Sequence, residues 1–259
     1  MINDLLLLSG NDIPFPEAQI TIHQPTIREI AYIGEESFFI GCGFLDFSKD
    51  LLDPKDKIKL ADYDDFDIFM TIMTSNDRSV ARNVECAILV LVLIFPLYTI
   101  EVRKDCIALK QEDKEFYITK KNFINFKEIV IKMFSLHGGK NSKEEYNPEG
   151  DMAKRIADKF KKRHEQLLKI SANKNTNKFS VLGRYVSILA VGLQQDINSL
   201  MSYTICQLYD AFQRFQLKLQ WDAYIQARMA GAKDLEEVDN WMIDLQEQGK
   251  NKNNKIEIN

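Results

Sequence analysis

The residues that could do chemistry in this chain are an acidic run, two glycine-bearing turns, three histidines and four cysteines. None has the spacing that a reaction or a metal needs. Asp62-Tyr63-Asp64-Asp65-Phe66-Asp67 invites a calcium loop, but the sixth and twelfth places hold Asp67 and Met73 instead of the glycine and glutamate such a loop requires. Acids at the N-terminus of a helix, where the dipole favours them, are the expected reading. Gly41-Cys42-Gly43 would place Asp46 where a phosphate cradle needs a third glycine, and a carboxylate there repels phosphate. Gly138-Gly139-Lys140 lacks the first glycine of a P-loop. His23, His137 and His164 have no ligand partner at close spacing, and no Gly-x-Ser-x-Gly turn occurs. The expectation is a protein that is not an enzyme, with no catalytic residue, no metal and no cofactor.

The elements therefore matter more than any single group. The chain has 259 residues, 45% hydrophobic and 28% charged, and a formal net charge of -4. That balance argues against a general nucleic-acid binder. Cys42, Cys86, Cys106 and Cys206 are widely scattered, as in a reducing compartment. Leu5–Leu8 lacks a basic flank, and Ala87–Pro96 falls short of the roughly 20 apolar residues of a membrane span. Neither a signal peptide nor a membrane segment is expected.

The organisation reads as an N-terminal arm (1–16), an α+β domain (17–137), a linker (138–150), a helical domain (151–248) and a frayed tail (249–259). The arm looks loose up to Ile13-Pro14-Phe15-Pro16. Gln19–Gln24 alternates as a short strand. Thr26 with Glu29 has the pattern of a capping box, and Gly34 stands at the stop. Glu35–Leu60 suggests a helix and a loop, and Asp65–Ser75 a short helix. Ala87–Pro96 is so uniformly apolar that periodicity leaves helix and strand open. Leu97–Val102, Cys106–Leu109 and Phe116–Ile118 form a three-stranded antiparallel meander, and Lys121–Leu136 a further helix. The fold class is α+β, predominantly helical.

Asp151–Ile170 reads as a basic helix with Lys161 and Arg163 among its cations. Phe179–Met229 reads as one or two long amphipathic helices. Leu182, Val186, Leu189, Leu193, Ile197, Leu200, Thr204, Leu208, Phe212, Phe215 and Leu219 make one continuous stripe, opposite a face rich in glutamine. Asp234 and Glu237 suggest another helix start before Trp241. Such a stripe needs a partner surface, from its own chain or another. Phe212, Phe215, Trp221 and Tyr224, with Lys161 and Arg163, are the expected partner contacts, since aromatic and cationic side chains dominate interface energetics.

Gln24–Glu35 resembles an opening found in tail-morphogenesis proteins of long-tailed bacteriophages. Phe44–Asp56 and Asp65–Met70 fit the same resemblance, and Met201–Trp241, with Ala227-Arg228-Met229-Ala230-Gly231-Ala232-Lys233, is similar to tail assembly chaperones or baseplate-hub assembly proteins. The resemblance implies a non-enzymatic assembly factor that binds the helical tape-measure protein and releases it as the tail tube forms. It implies tape-measure, tube or baseplate partners and possible homo-oligomers, with neither nucleic acid nor membrane involved. The location implied is the bacterial host's cytoplasm or the virion tail. A structural tail or baseplate component retained in the particle is the first alternative. An enzyme whose site forms only in three dimensions is the second.

Overall fold

The computed structural model describes residues 3–46, 62–75, 77–136, 180–232, 235, 238 and 240–242. The chain opens with helix α1 (Asp4–Ser9), capped by the Asn3 side chain and ended by Gly10 at φ 72°. Strand β1 (Ile13–Phe15) and strand β2 (Ile20–Ile22) pair antiparallel, with Ile13 opposite Ile22 and Phe15 opposite Ile20. The stretch expected to be loose is thus ordered. Its alternation explains why: Ile13 and Phe15 are buried, while Pro14, which has no N–H to donate, points out of an edge strand.

Helices α2 (Ile27–Ile33) and α3 (Glu35–Leu45) meet at Gly34, whose φ of 86° suits glycine. The Thr26–Glu29 capping box is present in full. Helix α4 (Asp65–Met73) starts at a second box, Asp64 with Asp67. The acidic run is a helix start held by cations: Lys120 Nζ lies 2.7 Å from Asp67 and 3.0 Å from Asp64, and Lys127 Nζ lies 2.9 Å from Asp65. The bond from Lys120 holds the Asp67 carboxyl below the usual carboxylate range.

The Ala87–Pro96 ambiguity resolves as helix. Helix α5 (Ala81–Ile94) buries Cys86, Ala87, Val90, Leu91 and Ile94, and leaves Ile88, Leu89 and Val92 on its outer side. The helix ends at Phe95, before Pro96, as steric restriction of the pre-proline residue requires. Strands β3 (Thr99–Val102), β4 (Cys106–Gln111) and β5 (Lys114–Thr119) form the expected meander in the order β3-β4-β5. On its outer face Arg103 pairs with Glu101 and Glu115, and its bond, with that of Lys110, takes Glu101 down to about 2. Helix α6 (Phe123–Met133) follows, and three more helices lie beyond residue 180 among the described residues: α7 (Val181–Leu193), α8 (Ile197–Met201) and α9 (Ile205–Met229). The fold is α+β and predominantly helical.

Phe15, Phe38, Phe95, Phe123 and Phe126 fill the middle of one cluster that also takes in Leu182, Val186, Leu189, Leu200 and Leu208. Phe95 stacks on Phe126 at 5.9 Å, and Phe38 meets Phe134 edge-on at 5.0 Å. The Gly41-Cys42-Gly43 stretch lies inside α3, where Gly41 sits against α5. A Cβ added at Gly41 would stand 2.4 Å from the Cys86 carbonyl oxygen. That close approach of two backbones leaves a methyl no room. Gly41→Ala is therefore expected to lower the unfolding free energy by about 2 kcal/mol, read as an earlier midpoint in chemical denaturation.

Candidate interaction surface

The helices after residue 180 start at side chains that satisfy their free N–H groups. Ser180 Oγ accepts from Gly183 N at 2.7 Å. Glu35, from α3, reaches across and accepts from Val181 N at 2.7 Å and Leu182 N at 3.0 Å. Asp196 caps α8 through Ser199 N. Thr204 and Gln207 form the capping box of α9: Thr204 N donates to Gln207 Oε1 at 2.8 Å, and Gln207 N to Thr204 Oγ1 at 3.3 Å.

This cap sits at a junction. Thr204 forms an isolated antiparallel bridge with Thr26, the cap of α2, and Ile27 N donates to Tyr203 O at 2.8 Å. Gln207 Nε2 continues to Leu8 O at 2.8 Å, and Arg28 Nη2 donates to Asn198 O at 3.3 Å. Glu29 also faces His23 Nε2 at 3.3 Å, while His23 Nδ1 faces Asp12 at 2.8 Å. Burial alone would raise the Glu29 pKa, but its bonds from Thr26 and the neighbouring His23 leave it lowered.

The expectation of one or two long helices is corrected to three. Gln194, at φ 53°, ends α7, and Thr204 is a buried cap between helices, not a member of an apolar stripe. Gly192 stands two residues before the first break but inside α7, and no proline lies at either one. The T-x-x-Q pattern at Thr204–Gln207 was the signal available, and a threonine at helical spacing from its apolar neighbours hid it.

The stripe is also interrupted, since Leu193, Ile197 and Leu219 are exposed, and α9 carries a second apolar side. Leu208, Phe212 and Phe215 lie on one side of α9. Phe212 stacks on Tyr185 at 4.1 Å, Tyr185 meets Tyr209 edge-on at 5.7 Å, and the Phe215 ring occupies the space above Gly192. Leu217 is nine residues beyond Leu208, about two and a half turns, so it points to the opposite side. Leu217 is 3% exposed and stands outside the main cluster. Trp221 and Tyr224, four and seven residues further on, share its side. Their rings are 5.8 Å apart, and the Arg228 guanidinium lies 5.7 Å over Tyr224.

The expected contact residues therefore divide. Phe212 and Phe215 pack on their own chain through α7, while Trp221 and Tyr224 are half-buried on the far side. Lys161 and Arg163 lie outside the described residues, as do the linker 138–150 and the basic segment 151–170. Leu219 and Met229, 52% and 84% exposed, were not among the expected contacts. Nothing in their spacing marks them as uncovered, because that depends on where α7 stops. Among the described residues no helix is long and apolar enough to cross a membrane.

Tyr209, inside the α7–α9 contact, is pushed up to about 12 by burial, with Tyr185, Glu35 and Cys42 adding to the rise. The fold thus favours the neutral phenol. Its contribution to stability is full below the ordinary value of 10.0 and is lost as pH rises through about 12. An absorbance titration is expected to show a phenol ionising near the top of that range, and Tyr209→Phe to remove it. Glu35→Ala is expected to cost about 1 kcal/mol and to speed amide hydrogen exchange at Val181 and Leu182.

Residues 173–246 match the family described as YomV second domain. No curated protein and no solved structure matches the chain. The stretch carrying α7, α8 and α9 is therefore similar to the second domain of YomV.

Proposed function

We propose that this chain is a non-enzymatic bacteriophage tail assembly factor that binds a helical partner such as the tape-measure protein. The observation that carries the reading is the outer part of α9. Beyond Leu217 this helix presents Trp221, Tyr224 and Arg228 along one side, while Leu219 carries the Phe212–Phe215 side onward and, like Met229, is exposed. Large amphipathic rings next to a guanidinium are the residue types that anchor partner chains. A helix with an apolar row suits packing against another helix or in a groove. The likeness of residues 173–246 to YomV second domain supports the reading. We take a phage origin from that likeness together with the resemblance of Gln24–Glu35 and Met201–Trp241 to tail assembly proteins.

In this proposal the protein works by covering a partner's apolar helix face until the partner assembles. Affinity comes from burying apolar surface that either protein alone would leave in water. The proposed location is the host cytoplasm during assembly.

The test is co-expression with a tape-measure protein followed by capture. The expected outcome is co-purification and a more soluble partner. Trp221→Ala with Tyr224→Ala is expected to weaken capture at least about tenfold, or roughly 1.4 kcal/mol. An unchanged yield of captured partner in the double variant overturns the assignment to this row. Presence of the protein at fixed stoichiometry in purified virions would show that it is a retained component.

A further inference from the structure

We infer that Leu235, Val238 and Trp241 form a strap seated on the Leu217 side of α9, so that the protein covers part of its own docking row. Arg214 is three residues before Leu217, on the same side of the helix. Its Nη1 donates to the Trp241 backbone carbonyl at 3.1 Å. This bond brings the chain back onto α9 from 27 residues away. Arg214 is also steadied by Asp210 one turn earlier, with Nε 3.5 Å from Oδ1.

The burial pattern points the same way. Leu217 is as buried as many core residues, yet it faces away from α7 and stands outside the main cluster. Leu235 and Val238 are half-buried without joining that cluster. The free energy of burying Leu217 therefore needs a cover on the far side of α9. Among the described residues, Leu235 and Val238 are the apolar side chains that lead up to the Trp241 carbonyl held there by Arg214. Trp221 stands four residues past Leu217, at the margin of the covered stretch, and is half-buried.

The consequence rests on the reading of α9 as a docking helix. A partner that takes the row from Leu217 to Tyr224 must first displace the strap, so free protein keeps its apolar row from self-association. Because the strap's residues lie outside the main cluster, displacement leaves the core intact.

The two tryptophans of the chain make the test direct. Trp241→Phe keeps the carbonyl that Arg214 binds and leaves Trp221 as the sole indole. In that background Val238→Asp places a carboxylate under the strap, where burial penalises charge. Acrylamide quenching of Trp221 is expected to rise about twofold while the far-ultraviolet dichroism is retained. Leu235→Asp is expected to do the same, and it guards against a defect peculiar to one position. Unchanged Trp221 quenching in both variants overturns the strap. Failure of tape-measure capture alongside increased quenching would count against the assembly-factor reading and leave the strap standing.

Discussion

The structure depends on a junction between two helix starts. Thr26 and Thr204 each cap a helix, each sits in a complete capping box, and the two bridge each other with Ile27 N bonded to Tyr203 O. A helix N-terminus must satisfy its first N–H groups somewhere. Here the local solution at both ends also joins segments about 180 residues apart in the chain. Gln207 shows the economy of the arrangement: its Oε1 closes the box while its Nε2 ties down Leu8 O at the end of α1. Glu35 makes a similar long-range cap on α7. Individual surface ion pairs contribute little beside such bonds, because water screens them.

From that junction α9 leaves in a fixed direction, and this sets which of its sides meets α7. Ile205 and Leu208 enter the core, Phe212 stacks on Tyr185, and Phe215 fills the space that Gly192 leaves. The helix then runs on past the end of α7. Its second apolar row, from Leu217 through Trp221 and Tyr224, lies on the other side. A helix with two opposed apolar rows cannot bury both against one neighbour. The interaction proposal and the strap both follow from this geometry.

Much of the local structure was legible in the residues. The Thr26 box, the Gly34 stop, the β3–β5 meander and the helical register of 65–73 and 123–133 all follow from short-range rules. Those rules act within a few residues, so neighbours alone reveal them. The breaks at Gln194 and Thr204 were harder to see. A glutamine adopting a left-handed conformation and a threonine at an apolar spacing both mimic helix continuation. The opening arm is ordered where its two prolines look like punctuation, because strand β1 needs no N–H on its outer edge at Pro14.

Composition and spacing by themselves determined the class of the fold, the helix starts and the amphipathic character of the last long helix. They did not determine which apolar side of that helix is covered, or that Phe212 and Phe215 are occupied by α7 while Trp221 and Tyr224 face elsewhere. Periodicity specifies that a face is apolar; burial belongs to two surfaces at once, and the second surface arrives only when distant segments dock. In this protein the Thr26–Thr204 bridge and the Glu35 cap set that docking, across separations that no local pattern spans.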